Sequence, residues 1–233
     1  MDYKTQDVRL QSLLGLRVWP VAIGFRPDPP PDVQRVNSPA PAGCGYWRLA
    51  AEGGVFFTEA SDHYQCPIGA HTHGIALPSE ATRELGGLLE TMARIQYIRP
   101  EEVPAIPRRS TAFGVAVYAP LAATPVDPDV VIVRGNARQM MLLAEAVHAA
   151  GVAADPAAQL RPTCAIVPTA TEGGRASLSL GCIGNRVYTG LGDDELYGAI
   201  PGRQLSAVIE KLEAIVAANR TLEAFHRQRE SAG

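Results

Sequence analysis

The chain has no C-x-x-C pair, no Walker phosphate loop, no G-x-G-x-x-G and no G-x-S-x-G. Without the last three, nucleotide-dependent chemistry and serine-hydrolase chemistry lose their sequence signatures. Without the first, a simple zinc ribbon has no basis. Clustered positive charge is equally scarce, since the longest basic run is the pair Arg108-Arg109, and 21 Lys and Arg against 24 Asp and Glu leave a net charge of -3. Binding to nucleic acid needs a concentrated basic face to neutralise phosphates, so no nucleic acid partner is expected. No apolar run approaches the roughly 20 residues that a membrane helix requires. The opening MDYKTQDVRLQ also lacks the basic start and apolar core of a secretory signal. These features point to a cytoplasmic protein with no membrane partner, in a compartment where structural disulfides are rare.

What the chain does have is an ordinary globular composition, 46% hydrophobic and 19% charged over 233 residues. That is enough for one domain spanning 1–233 with a sizeable core. A degenerate internal repeat runs through it. Cys44 and Cys164 are each followed at the same offset by Glu-Gly-Gly, at Glu52-Gly53-Gly54 and Glu172-Gly173-Gly174. A β-prone run and a second cysteine, Cys66 or Cys182, come next, then Ile-Gly within three residues and a further glycine at Gly74 or Gly190. The match needs a shorter strand in the second copy and a slip at Pro67. It predicts an α/β fold of two pseudo-symmetric half-repeats, about 12–100 and 113–216, each a mixed sheet flanked by helices.

Periodicity places the elements around these segments. Residues 5–14 read as a helix stopped by Gly15, and 18–25 as an edge strand or one starting at Val21, because of Pro20. The next stretch, RPDPPPDVQRVNSPAPAG, has six prolines and reads as an irregular loop delivering Cys44. A short helix to Glu52 puts Cys44 at a helix amino terminus, where the dipole is expected to lower its pKa. Residues 55–58 read as a strand. Residues 79–98 read as a helix with Leu85, Leu88, Leu89, Met92 and Ile95 on one stripe. Residues 113–118 and 130–133 read as buried strands. Asn136 and Gln139 form a capping box for a helix reaching Ala150. A strand-like ASLSL precedes Cys182. A last amphipathic helix spans 205–222, with a frayed end beyond it and an apolar face suited to the core or to a homodimer.

All four cysteines of the chain lie at the two equivalent positions of the repeat. Three readings stand side by side: small buried fillers, a shared metal or cluster site, and redox or catalytic thiols. A thiolate-rich site favours an iron–sulfur cluster, with zinc as the alternative, and metal ligands Cys44, Cys66, Cys164 and Cys182. Such a protein serves electron transfer or an accessory step of anaerobic metabolism, with a redox partner protein. His71 and His73, at i, i+2 after Cys66, fall on one face of a strand and offer a ligand or a general base. The bland reading of both is an exposed turn. Arg186, between Gly184 and Gly190, suits bidentate capture of a carboxylate or phosphate, or a surface pair with Asp194 or Glu195. Glu52 and Glu172 either end their helices or form a carboxylate dyad. The competing class is a metal-free small-molecule binder or thiol enzyme, with a pocket at the seam of the halves lined by Trp47, Tyr64, His71 and Arg186. Substrate-binding residues on this view are Arg186, His71, His73 and Gly184.

The residues Pro20-Val21-Ala22-Ile23, the Cys44 and Cys66 segments, and Tyr118-Ala119-Pro120-Leu121 before Pro128-Asp129-Val130-Val131 occur together with Cys182-Ile183-Gly184-Asn185-Arg186, Glu195 and Ile200-Pro201. Their combination resembles the uncharacterised ArCR-type family of bacteria and archaea (domain of unknown function, number one hundred and sixty-nine). The most specific piece is C-x-G-x-R ahead of E-x-x-x-x-I-P. The resemblance covers nearly the whole chain and implies a single full-length domain; it carries no activity over.

Overall fold

A computed structural model describes residues 2–155 and 158–231. Its helices are α1 (Tyr3–Leu14), α2 (Gly45–Ala51), α3 (Pro67–Thr72), α4 (Ser79–Arg94), α5 (Ala137–Ala149), α6 (Ile166–Thr171), α7 (Ile183–Thr189) and α8 (Leu205–Ser231). The strands are β1 (Val21–Arg26), β2 (Phe56–Thr58), β3 (Val115–Pro120), β4 (Val130–Asn136), β5 (Ser177–Ser179) and β6 (Glu195–Pro201). All six join one α/β sheet in the order β2-β3-β1-β4-β6-β5. Every pairing between these strands is antiparallel.

The sheet differs from the expected pair of mixed sheets. Val21, Ala22 and Ile23 of β1 pair with Ile132, Val131 and Val130 of β4, which fuses two three-stranded sets into one sheet. Fusion satisfies backbone groups along two edges that would otherwise be buried unpaired. The two shortest strands, β2 and β5, are left at the outer edges.

Strand alternation sorts the core into two layers. Val21, Ile23 and Phe25 of β1 point to one face with Ala116 and Tyr118 of β3, Val130 and Ile132 of β4, and Tyr197 and Ala199 of β6. Ala22, Val131, Val133 and Ile200 point to the other. The second face is covered by α1, α5 and α8, which pack on one another. Leu205, Val208, Ile209, Leu212 and Val216 of α8 are buried there, so the face considered for a homodimer is occupied by the core. The first face is covered by the short helices α2 and α6, with α7 against α2.

Local chemistry explains most boundaries. Gly15 ends α1 at φ 66°, the left-handed cap that glycine adopts without strain. Asn136 accepts from the Gln139 backbone while the Gln139 side chain accepts from Asn136, closing the capping box of α5. Pro20 precedes β1, so the strand begins at Val21. The last helix runs on to Ser231 rather than fraying after Leu222; Ala232 and Gly233 lie outside the described residues. α4 packs on α3 and buries only Ala81, leaving Leu88 and Ile95 of its apolar stripe exposed. Among the described residues no helix is long and apolar enough to cross a membrane.

A buried group of four cysteines as candidate functional site

The cysteines sit at the starts of short helical segments on the aromatic face. Cys44 precedes α2, Cys66 precedes α3, Cys182 precedes α7, and Cys164 lies in a 3-10 turn, Thr163–Ala165, that leads into α6. All four thiols are free; Cys44 and Cys164 are buried, Cys66 and Cys182 half-buried.

Four contacts bring these segments into a ring. Glycine lets the Cys44 loop meet α3, because a Cβ on Gly69 would stand 3.7 Å from the Gly43 Cα and 2.9 Å from the Cys66 Sγ. α3 packs on the turn carrying Cys164, and the Thr72 hydroxyl stands beside the Cys164 thiol. The Cys182 backbone N–H donates to the Thr163 Oγ1 at 2.6 Å. α7 then packs on α2, with the Asn185 amide beside the Cys44 thiol.

Electrostatics report the same convergence. Burial pushes the Cys44 thiol up to about 12; nearby Asn185 opposes the rise, while Cys66 and Cys182 add to it. Burial likewise raises Cys164 well above its ordinary value, with Cys66, Cys44 and Cys182 contributing and Thr72 opposing. This reverses the expectation for Cys44. The dipole of a seven-residue helix is worth at most about 1–2 kcal/mol even when partly buried, too little to offset loss of water around a thiolate. Both buried thiols are therefore protonated at neutral pH in the protein as it stands.

On this face several buried polar atoms have no hydrogen-bond partner among the described residues: Trp47 Nε1, Tyr118 Oη, His63 Nδ1, His73 Nε2 and both amide atoms of Asn185. Buried polar groups are usually paired, so this concentration is unusual for a core layer. Tyr118 feels Cys164 and Cys44, Tyr46 feels Cys66, and Tyr197 feels Cys44. Tyr46 is anchored by donating to the Asp62 carbonyl at 2.6 Å and accepting from the Ala40 N–H at 3.0 Å.

The histidines fall differently from expectation. His71 and His73 are on α3 and its cap rather than on a strand, because Pro67 occupies the first helical position and Ala70 donates back to the Cys66 carbonyl at 2.8 Å. Helical geometry then separates them. His71 is half-buried and its pKa is lowered by burial and by Arg108. His73 is buried, its Nδ1 is 2.8 Å from the Gly69 carbonyl, and burial brings its pKa down to about 4. His63 carried no role in the sequence reading, yet it is 1% exposed, bonded to Thr58 Oγ1 at 2.9 Å, with its ring 5.4 Å from that of His73. Burial, with His73, lowers it to about 3.

Arg186 is committed locally. It donates to the Gly192 carbonyl at 2.9 Å and the Leu180 carbonyl at 2.6 Å, and pairs with Asp193 at 3.7 Å. Glu195 pairs instead with Arg134. Gly184 meets nothing closer than Tyr188, at 3.9 Å from a would-be Cβ. Glu52 pairs with Arg48 and Glu172 with Arg109, Ser110 and Thr111, so the two carboxylates serve separate places. Asn185, Thr72, Tyr118 and His63 were missed in sequence; only Asn185, inside C-x-G-x-R, had a signal that could have found it. Among the described residues no three His, Cys, Asp or Glu side chains gather tightly enough to hold a metal ion.

The fold and this site together define a one-sheet α/β protein with a buried polar and thiol layer on one sheet face. The chain belongs to the uncharacterised ArCR family, whose model matches residues 9–211. It is 26% identical over 157 residues to an uncharacterized protein of Methanocaldococcus jannaschii, covering 65% of this chain and 67% of that protein. No solved structure matches it.

Proposed function

We propose that Cys44, Cys66, Cys164 and Cys182 bind an iron–sulfur cluster, and that the protein works in the cytoplasm in electron transfer or an accessory step of anaerobic metabolism, with a redox partner. The observation that supports this reading is the ring of contacts that brings the four cysteine segments together, with Cys66 and Cys182 near enough to bear on the buried Cys44 and Cys164 thiols. A zinc ion needs its donors around a single point, and no such group occurs among the described residues. A cluster of several irons takes its thiolates at different metal atoms rather than at one point, which is why the reading names an iron–sulfur cluster before zinc. When bound, it would supply one-electron chemistry. The chain's own part is to give up thiol protons, to place Asn185 and Thr72 beside Cys44 and Cys164, and to keep water out.

For the thiol-enzyme alternative, Cys44 is a poor nucleophile, because a nucleophile must ionise near neutral pH and burial pushes this thiol up to about 12. Metal coordination removes that obstacle by deprotonating a buried thiol outright.

The reading also includes an internal duplication. Each cysteine pair brackets a short helix, a Gly-Gly turn and a three-residue edge strand, and ends at a left-handed glycine, Gly74 at φ 75° or Gly190 at φ 62°. Two copies facing across β1 and β4 would bring two cysteine pairs to one place.

Protein purified without oxygen should contain iron and sulfide in near-equal amounts, and serine at any one of the four cysteines should lower both. Normal iron in all four single variants, or no metal in the parent protein, would retire the cluster.

A further inference from the structure

At the β1–β4 seam, outside the thiol group, lies a half-open cleft of about 420 Å³. That size falls within the range of small-molecule sites, roughly 300–1,000 Å³. Both tryptophans of the chain, Trp19 and Trp47, line it. Trp47 is buried and packs edge-on against Tyr197, with ring centroids 5.4 Å apart, and its buried Nε1 has no hydrogen-bond partner among the described residues. Trp19 is 47% exposed, an unusual setting for so large an apolar ring. Its ring is backed by Gly53, whose φ of 106° favours glycine and whose would-be Cβ lies 3.4 Å from Trp19. Val21 and Ile132 make the seam between the rings apolar.

Three guanidiniums, Arg17, Arg48 and Arg134, and one carboxylate, Glu52, supply the charged groups of the lining. Two are committed. Arg48 pairs with Glu52 at 2.8 Å, and Arg134 is held by Glu195 and the Thr189 and Gly190 carbonyls. Arg17 is exposed and closes no hydrogen bond or ion pair among the described residues; its charge reaches Glu195 only through space. The cleft thus combines the exposed Trp19 ring, the edge of the buried Trp47 ring, and an Arg17 guanidinium that closes no hydrogen bond or ion pair among the described residues.

We infer that this cleft binds a small aromatic carboxylate, its ring between Trp19 and Trp47 and its carboxylate on Arg17. Guanidinium matches a carboxylate in fork geometry, and aromatic walls favour a planar ring over an aliphatic chain. The inference does not rest on the cysteine centre, since none of the four cysteines lines the cleft.

Both tryptophans report on the site, so intrinsic fluorescence of the full chain reads it directly. Titration with benzoate and with naphthalene-2-carboxylate should give a saturable change for at least one, and the matching uncharged carboxamide should bind at least tenfold more weakly. Arg17→Gln should erase that preference without changing the thermal midpoint of the free protein, and Trp19→Ala should weaken acid and amide alike. No saturable change with either carboxylate, equal binding of acid and amide, or an undiminished preference in Arg17→Gln overturns the inference. Iron content measured on the same samples keeps its failure separate from that of the cluster.

Discussion

The two faces of the sheet bury similar amounts of chain in opposite ways. On one, α1, α5 and α8 cover a layer whose hydrophobic cluster is aliphatic or Met throughout, with Gln6 and Asp7 of α1 buried as well. On the other, short helices and glycine turns cover Cys44, Cys164, Tyr46, Tyr118, Tyr197 and Trp47, with His63 and His73 nearby. The first face gains chiefly from apolar area leaving water, although α1 buries two polar atoms that have no hydrogen-bond partner among the described residues, Gln6 Oε1 and Asp7 Oδ1. The second holds thiols kept from ionising, histidines kept from protonating and several unpaired polar atoms, an arrangement that costs stability. Such a cost is commonly found at functional sites. The long-helix face then provides the stability that lets the other face carry it.

The sharpest way to separate the faces is acid. His63 and His73 stay neutral in the fold down to about 3 and about 4, whereas unfolded histidine titrates near 6.5. Below pH 6.5 the unfolded chain binds more protons, so stability is full above that pH and falls as pH drops towards 4. The slope is about 1.4 kcal/mol per pH unit for each histidine. Urea titrations at pH 7, 6 and 5 should show midpoints falling steeply, and less steeply in His63→Gln. A midpoint independent of pH in this range would mean that the histidines are solvated.

Next in size is a truncation on the aliphatic face. Ile209→Ala, at a fully buried position of α8, should cost about 2–5 kcal/mol in urea unfolding. It should leave iron content and cleft binding unchanged. Loss of either would show that the faces are not independent.

A further effect comes from alkali. Cys44 in the fold ionises at about 12 against an ordinary 9.0, so stability is full below pH 9 and is lost as pH rises towards 12. The slope from this thiol is about 1.4 kcal/mol per pH unit. In metal-free protein, Cys44→Ser should flatten that limb; an unchanged slope would place the loss in Cys164 and the buried tyrosines.

Much of the fold was legible in sequence because its signals are local. Gly15, the Asn136 and Gln139 capping box, and Pro20 before Val21 each act within one turn of helix or at one strand end. β6 was missed because ELYGAIP combines Glu, Gly and Pro with only partial alternation, and its partners β4 and β5 are distant in the chain. His71 and His73 were misplaced because Pro67 as a helix start outweighed the i, i+2 pattern. For the site, the four cysteines were visible as a repeated spacing. Their neighbours Asn185, Thr72, Tyr118 and His63 were not, since nothing in the order of residues marks a side chain that becomes polar and buried only on folding.

The sequence by itself determined the longer helices and the strands other than β6, and that the four cysteines stand at matching positions of a repeated pattern. Only the tertiary structure decided that the β1–β4 pairing would fuse two sets of strands into one sheet and close the ring from Cys44 through α3, Thr163 and α7. It also decided that burial rather than the helix dipole would govern the thiols. Propensities, caps and turns act over a few residues and can be read in order. Desolvation and strand pairing depend on what arrives from far along the chain.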